Sequence, residues 1–181
     1  MTRYIAFLRA INVGGRTVKM DRLREVFEQL GLSNVETFIA SGNVIFEFPA
    51  GDTPALERQI ETLLQESLGY RVDTFVRSAA ELAAIAAYEP FPASTLDADD
   101  TTLYVSFLSD PPPQTARDNI FALQIPTDEF HIHERELYWL RHGKISDSTI
   151  SGALLERAVG MPATMRNANT IKRIIAKYPV P

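Results

Sequence analysis

The sequence predicts an α+β fold made of two ferredoxin-like (βαββαβ-type) units, with mainly antiparallel sheets packed with helices. Three observations carry this expectation. Short apolar runs rich in β-branched and aromatic residues recur at Tyr4–Leu8, Val44–Phe48, Thr102–Leu108 and Leu137–Arg141. Between them lie segments whose apolar residues return every 3.6 positions. The succession strand, helix, strand, strand, helix occurs twice in the same order. An N-terminal unit is expected over residues 1–88, a connector over 89–100, and a C-terminal unit with a terminal helix over 101–181.

The first strand, Tyr4-Ile5-Ala6-Phe7-Leu8, is apolar on both faces as a covered central strand would be, and Arg9 ends it. Ala10 to Arg16 is a loop in which Gly14-Gly15 permits positive φ or close backbone approach. From Met20, the stripe Leu23, Val26, Phe27 and Leu30 predicts a helix, with Asp21 in its first turn and Gly31 as its stop. Val35–Ala40 and Val44–Phe48 read as two strands closed by a tight hairpin at Ser41-Gly42-Asn43. The next helix is expected to use Thr53 as its cap and Pro54 as its first residue, to bury Leu56, Ile60, Leu63, Leu64 and Leu68, and to stop at Gly69. Arg71–Arg77 alternates polar and apolar like a half-buried strand. Ser78-Ala79-Ala80-Glu81 is a capping box opening a further helix that closes before Pro90.

The segment 89–100 holds two prolines and four acidic residues and reads as the connector. Thr102–Leu108 is the next strand, and Pro111-Pro112-Pro113 leads into a helix using Ala116, Ile120 and Leu123. Strands follow at Glu129–His133 and Leu137–Arg141, turning at Glu134-Arg135. A helix carrying Ile150, Leu154, Leu155 and Ala158 is stopped by Gly160, Ala163-Thr164-Met165 is a short last strand, and a helix from Asn167 to Tyr178 turns Ile171, Ile174 and Ile175 inward. The halves share no sequence similarity, so the repeat is one of pattern.

At 181 residues the chain can bury roughly 70% of its unfolded surface without a staple. Cysteine is absent, which excludes disulfides and thiol chemistry and agrees with a reducing compartment. The first strand begins at once with no signal-peptide pattern, and no apolar run approaches ~18 residues, so the expectation is a cytoplasmic protein that does not enter a membrane. The net charge of −5 is unevenly spread. No Asp or Glu precedes Asp21 and none follows Glu156, whereas Arg3, Arg9, Arg16 and Lys19 stand near one end and Arg157, Arg166, Lys172, Arg173 and Lys177 near the other. Both ends are locally basic, although a pI near 5.2 argues against broad nucleic-acid binding.

In a split βαββαβ unit the first crossover makes strands one and two parallel, so the end of strand one and the hairpin after strand two meet at one edge. Arg9, Asn12, Gly14, Gly15 and Lys19 are thereby expected near Ser41 and Asn43, beside the positive start of the Met20 helix. Glycines, amides, a hydroxyl and cations at a helix start suit a phosphate or carboxylate. The same residues are ordinary turn formers, and plain turns with solvated cations are the competing reading. A second cluster, Arg166, Asn167, Asn169 and Thr170, exceeds what one helix cap requires; it reads equally as an anion site or as an elaborate cap with Arg166 exposed.

Other constellations fail on spacing. His131 and His133 share a strand face but imply no third ligand, so no metal is expected. His142-Gly143-Lys144 lacks the rest of a phosphate loop, Ala40-Ser41-Gly42 is no nucleophile elbow, and Gly14-Gly15 is no dinucleotide fingerprint, so no cofactor is expected. Asp97–Asp100 lacks calcium-loop spacing. The aromatic signature of RNA-binding ferredoxin-like domains is absent.

Tyr4 through Gly15, then Lys19-Met20, Thr37–Val44, Ala163-Thr164, Arg166-Asn167 and Asn169-Thr170 together resemble the bacterial domain-of-unknown-function family 1697 across nearly the whole chain. Two positions depart from that pattern: Ala10 stands where the family usually has glycine, and Ala168 where it has tryptophan, which removes a stacking ring there. The resemblance implies paired ferredoxin-like units and candidate positions, with no assigned role. Three functions follow. A non-catalytic module would bind an anionic ligand, a phosphate-bearing small molecule or nucleic acid, at the basic, amide-rich edge. An enzyme would act on a small phosphorylated or carboxylated substrate and would need a general base, for which only Asp21 is at hand. A structural or interaction module would show an exposed apolar face.

Overall fold

The computed structural model describes residues 1–40 and 42–180, and these form two units: residues 1–83 with those from Ile174 onward, and residues 84–173. In unit 1 the strands β1 (Thr2–Leu8), β2 (Ser33–Thr37), β3 (Asn43–Phe48) and β4 (Thr74–Ser78) make one sheet in the order β2-β3-β1-β4. The paired strands are antiparallel throughout, with Ile5 facing Ile45 on one side and Arg77 on the other. Helices α1 (Met20–Glu28) and α2 (Thr53–Leu68) supply Leu23, Val26, Phe27, Leu56, Ile60 and Leu64 to a core with Tyr4, Ala6, Leu8, Val44, Phe46 and Val76. Those strand residues are spaced by two, so each strand turns one set of side chains to the helices. This is the split βαββαβ arrangement.

Three local expectations are corrected. Strand β2 ends at Thr37 and not at Ala40, because Ile39 takes a left-handed φ of +51°, where an extended strand cannot continue. The connection to β3 is therefore longer than a two-residue hairpin. It is closed by Phe38 N donating to Asn43 O at 2.9 Å and Asn43 Nδ2 donating to Phe38 O at 3.0 Å. Ser41, in this connection, lies outside the described residues. Finally, the cap of α2 is Asp52, whose carboxylate accepts from Ala55 N at 3.3 Å, and Thr53 is already helical.

The capping box opens α3 (Ala79–Ala87) as expected: Ser78 N donates to Glu81 Oε2 at 2.7 Å and Glu81 N to Ser78 Oγ at 3.1 Å. Within residues 89–100 a short helix, α4 (Ala93–Leu96), forms. Unit 2 then repeats the first plan. Strands β5 (Thr101–Leu108), β6 (Asp128–His133), β7 (Glu136–His142) and β8 (Ala163–Asn167) lie in the order β6-β7-β5-β8, which is the order of unit 1 with each strand replaced by its counterpart. Helices α5 (Gln114–Phe121) and α6 (Gly152–Val159) cover one face, packing Ile120, Leu155 and Val159 on Leu137 and Trp139. Strand β8 runs two residues beyond its expected end and passes directly into α7 (Ala168–Lys177).

Beneath the second sheet sits a buried ionic hub. Asp128 accepts from Trp139 Nε1 at 2.9 Å, Ser148 Oγ at 2.9 Å, Thr127 Oγ1 at 3.0 Å and Arg141 Nη1 at 2.8 Å. Among the described residues no helix is long and apolar enough to cross a membrane.

Candidate functional site

The ends of β1 and β2 share an edge in unit 1 because both strands are antiparallel to β3. Backbone bonds fix that edge: Leu8 N donates to Gly42 O at 2.8 Å and Arg9 N to Asp73 O at 2.9 Å. Gly42 has φ +75°, and a Cβ there would lie 2.8 Å from Ile11 Cγ2, so the two loops touch with no room for a side chain. Asn12 ties them further. Its Oδ1 accepts from Val18 N at 2.8 Å, and its Nδ2 donates to Ala40 O at 3.1 Å.

Around this latch the rim is cationic and rich in backbone donors. Gly14 and Gly15 both take positive φ, at +63° and +80°, with open space beside them. Lys19 is exposed at the N-cap of α1 and provides no side-chain acceptor, so its ammonium adds to the positive helix start. The Arg9 and Arg71 guanidiniums reach Asp73 at 3.5 and 2.8 Å, and Arg16 lies over the Tyr70 ring, 4.2 Å from its centre. Val13 and Ile39 project from the two loops with 56% and 44% of their surface exposed. The structure thus gathers Arg9, Asn12, Gly14, Gly15 and Lys19 at one edge. Asn43 belongs to the same edge but is buried, its amide spent on Phe38 O.

The second predicted cluster lies in unit 2, where β8 becomes α7. Arg166 is buried, not exposed: Nη1 donates to Thr164 Oγ1 at 2.8 Å and to Met165 O at 2.9 Å, and burial lowers its pKa to about 10. Asn167 caps the helix, its Oδ1 accepting from Asn169 N at 2.8 Å. Asn167, Asn169 and Lys172 line a cleft of about 450 Å³ whose walls include Leu103, Ile171 and Tyr138. Thr170 is half-buried and is not among its lining residues.

Tyr138 was not legible as a site residue. It is 1% exposed, and its hydroxyl has no hydrogen-bond partner among the described residues. The strand pattern held one clue: Trp139 turns toward α5 and α6, so its neighbour Tyr138 must face the other side of the sheet.

Groups suited to proton transfer are already engaged. Tyr88 Oη and His131 Nε2 are 2.8 Å apart, Tyr88 stacks on His133 with ring centres 4.1 Å apart, and His142 Nε2 meets Glu129 Oε1 at 2.8 Å. Asp21 is paired with Arg24. Among the described residues no group of three or more His, Cys, Asp or Glu residues forms a metal cluster.

Residues 1–138 match the family model described as a protein of unknown function, DUF1697. Among solved structures, the chain is similar to the conserved bacterial protein SP0830 from Streptococcus pneumoniae, with 24% identity over 96% of each chain and a TM-score of 0.75, a likeness of fold. No curated protein matches it.

Proposed function

The chain belongs to the DUF1697 family of proteins of unknown function, and from that premise we propose that it is a cytoplasmic, non-catalytic module that binds an anionic ligand, a phosphate-bearing small molecule or nucleic acid, at the rim of unit 1. One observation supports this reading above the others. The Asn12 latch and the Leu8–Gly42 bond hold the Gly14-Gly15 amides, Lys19, Arg9 and the start of α1 on a single preformed edge. Donors fixed in advance lose little freedom on binding. The α7 start, with Asn167, Asn169, Thr170 and the nearby Arg166, is a second amide-rich cluster, set beside a cleft that Glu89 and Asp97 also line.

An enzymatic reading fits less well, since the carboxylates near this edge, Asp21 and Asp73, are each paired with arginine. The exposed Val13 and Ile39 favour a second reading, in which the rim docks a partner protein through an apolar tip set among cations.

The test is titration of the intact protein with inorganic phosphate and with a single-stranded oligonucleotide at low salt, beside Arg9→Ala and Lys19→Ala. Binding that weakens by roughly tenfold in each variant and falls steeply as salt rises is the expected result. Binding of neither probe, or equal binding by the variants, overturns the reading.

A further inference from the structure

A strand at the end of a sheet leaves every second amide without a partner, and such a row is a template on which another chain adds as a strand. Strand β4 ends the first sheet beyond β1, yet its outward amides are all engaged. Thr74 N donates to Glu61 Oε1 at 2.9 Å, Val76 N to Glu57 Oε1 at 2.7 Å and Ser78 N to Glu81 Oε2 at 2.7 Å. The carbonyl of Val76, on the same edge, accepts from Arg77 Nη1 at 2.9 Å.

The spacing of helix and strand makes this possible. Glu57 and Glu61 stand four residues apart on α2, a rise of ~6 Å on one face of the helix. Thr74 and Val76 are two residues apart on β4, a rise of ~7 Å. The later glutamate meets the earlier amide, so α2 runs antiparallel to β4. The helix itself lies on the face of the sheet, where Ile60 and Leu64 enter the core, and only its carboxylates reach the edge. They take the place of a fifth strand's carbonyls. Unit 2 has the same chemistry: Glu156 of α6, the counterpart of α2, accepts from Ala163 N of β8 at 3.0 Å, and Arg166 Nη1 meets Met165 O at 2.9 Å.

Strand β4 carries none of the other guards of an edge. Its sequence, Thr74-Phe75-Val76-Arg77-Ser78, is β-branched and aromatic without proline or lysine, its arginine is buried, and its register with β1 is unbroken. At the opposite edge β2 is interrupted between Ser33 and Glu36, with Asn34 at φ +51°.

We propose that Glu57 and Glu61 form an autoinhibitory contact: they occupy the donors of an edge that, once bared, pairs with the β4 edge of a second copy of this chain. The occupant is a second copy because an antiparallel ladder of β4 on β4 is self-complementary about a two-fold axis, each edge offering the other the same donors and acceptors. This goes beyond the rim reading and does not depend on it.

The test compares the intact wild type with Glu61→Ala, with the double variant Glu57→Ala, Glu61→Ala, and with Glu61→Gln, whose side-chain oxygen can still accept. Sedimentation velocity reads association, and amide hydrogen exchange reads the edge, with Ala6 and Phe7 of β1 as references for global opening. In dilute wild type Thr74 and Val76 should exchange slowly. In Glu61→Ala the Thr74 amide should exchange at least roughly tenfold faster relative to the references. As concentration is raised, both Ala variants should associate at least roughly tenfold more tightly than the wild type, and the freed amides should become slow again. Glu61→Gln should follow the wild type in both measurements. Glu61→Ala decides the matter alone if the double variant, which also takes the counter-charge from Arg77, does not fold. Three results overturn the proposal: Thr74 exchange unchanged in Glu61→Ala, freed amides with no added association at any concentration, or Glu61→Gln associating as Glu61→Ala does. None of these readouts involves Arg9 or Lys19, so failure here is distinct from failure of the phosphate and oligonucleotide titrations at the rim.

Discussion

Arg77 and Arg166 occupy the same position in the two sheets. Arg77 on β4 faces Ile5 of β1, and Arg166 on β8 faces Val105 of β5, each strand being the one that closes its sheet. Both guanidiniums are buried, and each donates Nη1 to the carbonyl of its own preceding residue at 2.9 Å, Val76 in one case and Met165 in the other. The next residue, Ser78 or Asn167, then caps the following helix. The repeat of pattern therefore extends to individual side chains.

Both can be tested by removal. Arg77 lies 4.0 Å from Glu57, itself buried and accepting from Val76 N at 2.7 Å. Arg77→Ala removes that positive charge and should cost about 3 kcal/mol in urea unfolding. Arg166→Ala removes the bonds to the Thr164 hydroxyl and the Met165 carbonyl and should cost at least about 2 kcal/mol in the same measurement. A loss below about 1 kcal/mol in either variant would mean that its guanidinium is solvated like a surface cation.

Asp128→Asn keeps the shape of the hub in unit 2 and removes its charge. Arg141, buried with its Nη1 at 2.8 Å from the carboxylate, would then lack a counter-charge. The expected loss is about 3 kcal/mol in denaturant unfolding. A change below about 1 kcal/mol would show the pair to be solvated like a surface ion pair.

The rim of unit 1 offers a paired test of packing against conformation. Gly42→Ala must overcome both a positive φ and a Cβ 2.8 Å from Ile11 Cγ2, and about 2–3 kcal/mol of stability should be lost. Gly14→Ala meets only the φ penalty in open space, about 1 kcal/mol. Asn12→Ala, which releases both Val18 N and Ala40 O, should fall between them at about 1–2 kcal/mol. Thermal unfolding of the three variants orders the effects.

His131 should give unit 2 a pH dependence. Burial, then the charges of His133 and Arg117, lowers its pKa below the ordinary 6.5. The unfolded chain thus takes up the proton first, and stability is lost as pH falls from 6.5 toward the folded value. Unfolding free energies from about pH 7 to about pH 5 should decline more steeply in the wild type than in His131→Gln. Parallel slopes would mean that the ring titrates as it does in water.

The strand and helix succession was legible because it rests on patterns that the core enforces: the stripe of α1 faces the core, and the unbroken apolar run Tyr4–Leu8 of β1 is buried on both faces. Local geometry was less so. Nothing in the string Phe38-Ile39-Ala40 announces that a β-branched residue adopts φ +51°, since that conformation is imposed by the bonds between Phe38 and Asn43. Asp52 and Thr53 are both good caps, and only the helix start decides between them. The gathering of Arg9, Asn12 and Lys19 followed from the topology of the crossover, whereas the burial of Arg166 did not, because a lone arginine near a helix start reads as a surface group.

Unit 1 draws on both ends of the sequence: Tyr178 donates to Glu36 at 2.6 Å and meets Phe38 edge-on, and Arg3 donates to Pro179 O at 2.6 Å. On a ribosome, where segments emerge in order from the N-terminus, the core of unit 1 is already present once Val76 is clear of the exit tunnel, whereas its bonds to Tyr178 and Pro179 close only after the last helix has emerged. A nascent polypeptide arrested just short of Ile174 would hold that core without the hydroxyl that anchors Glu36.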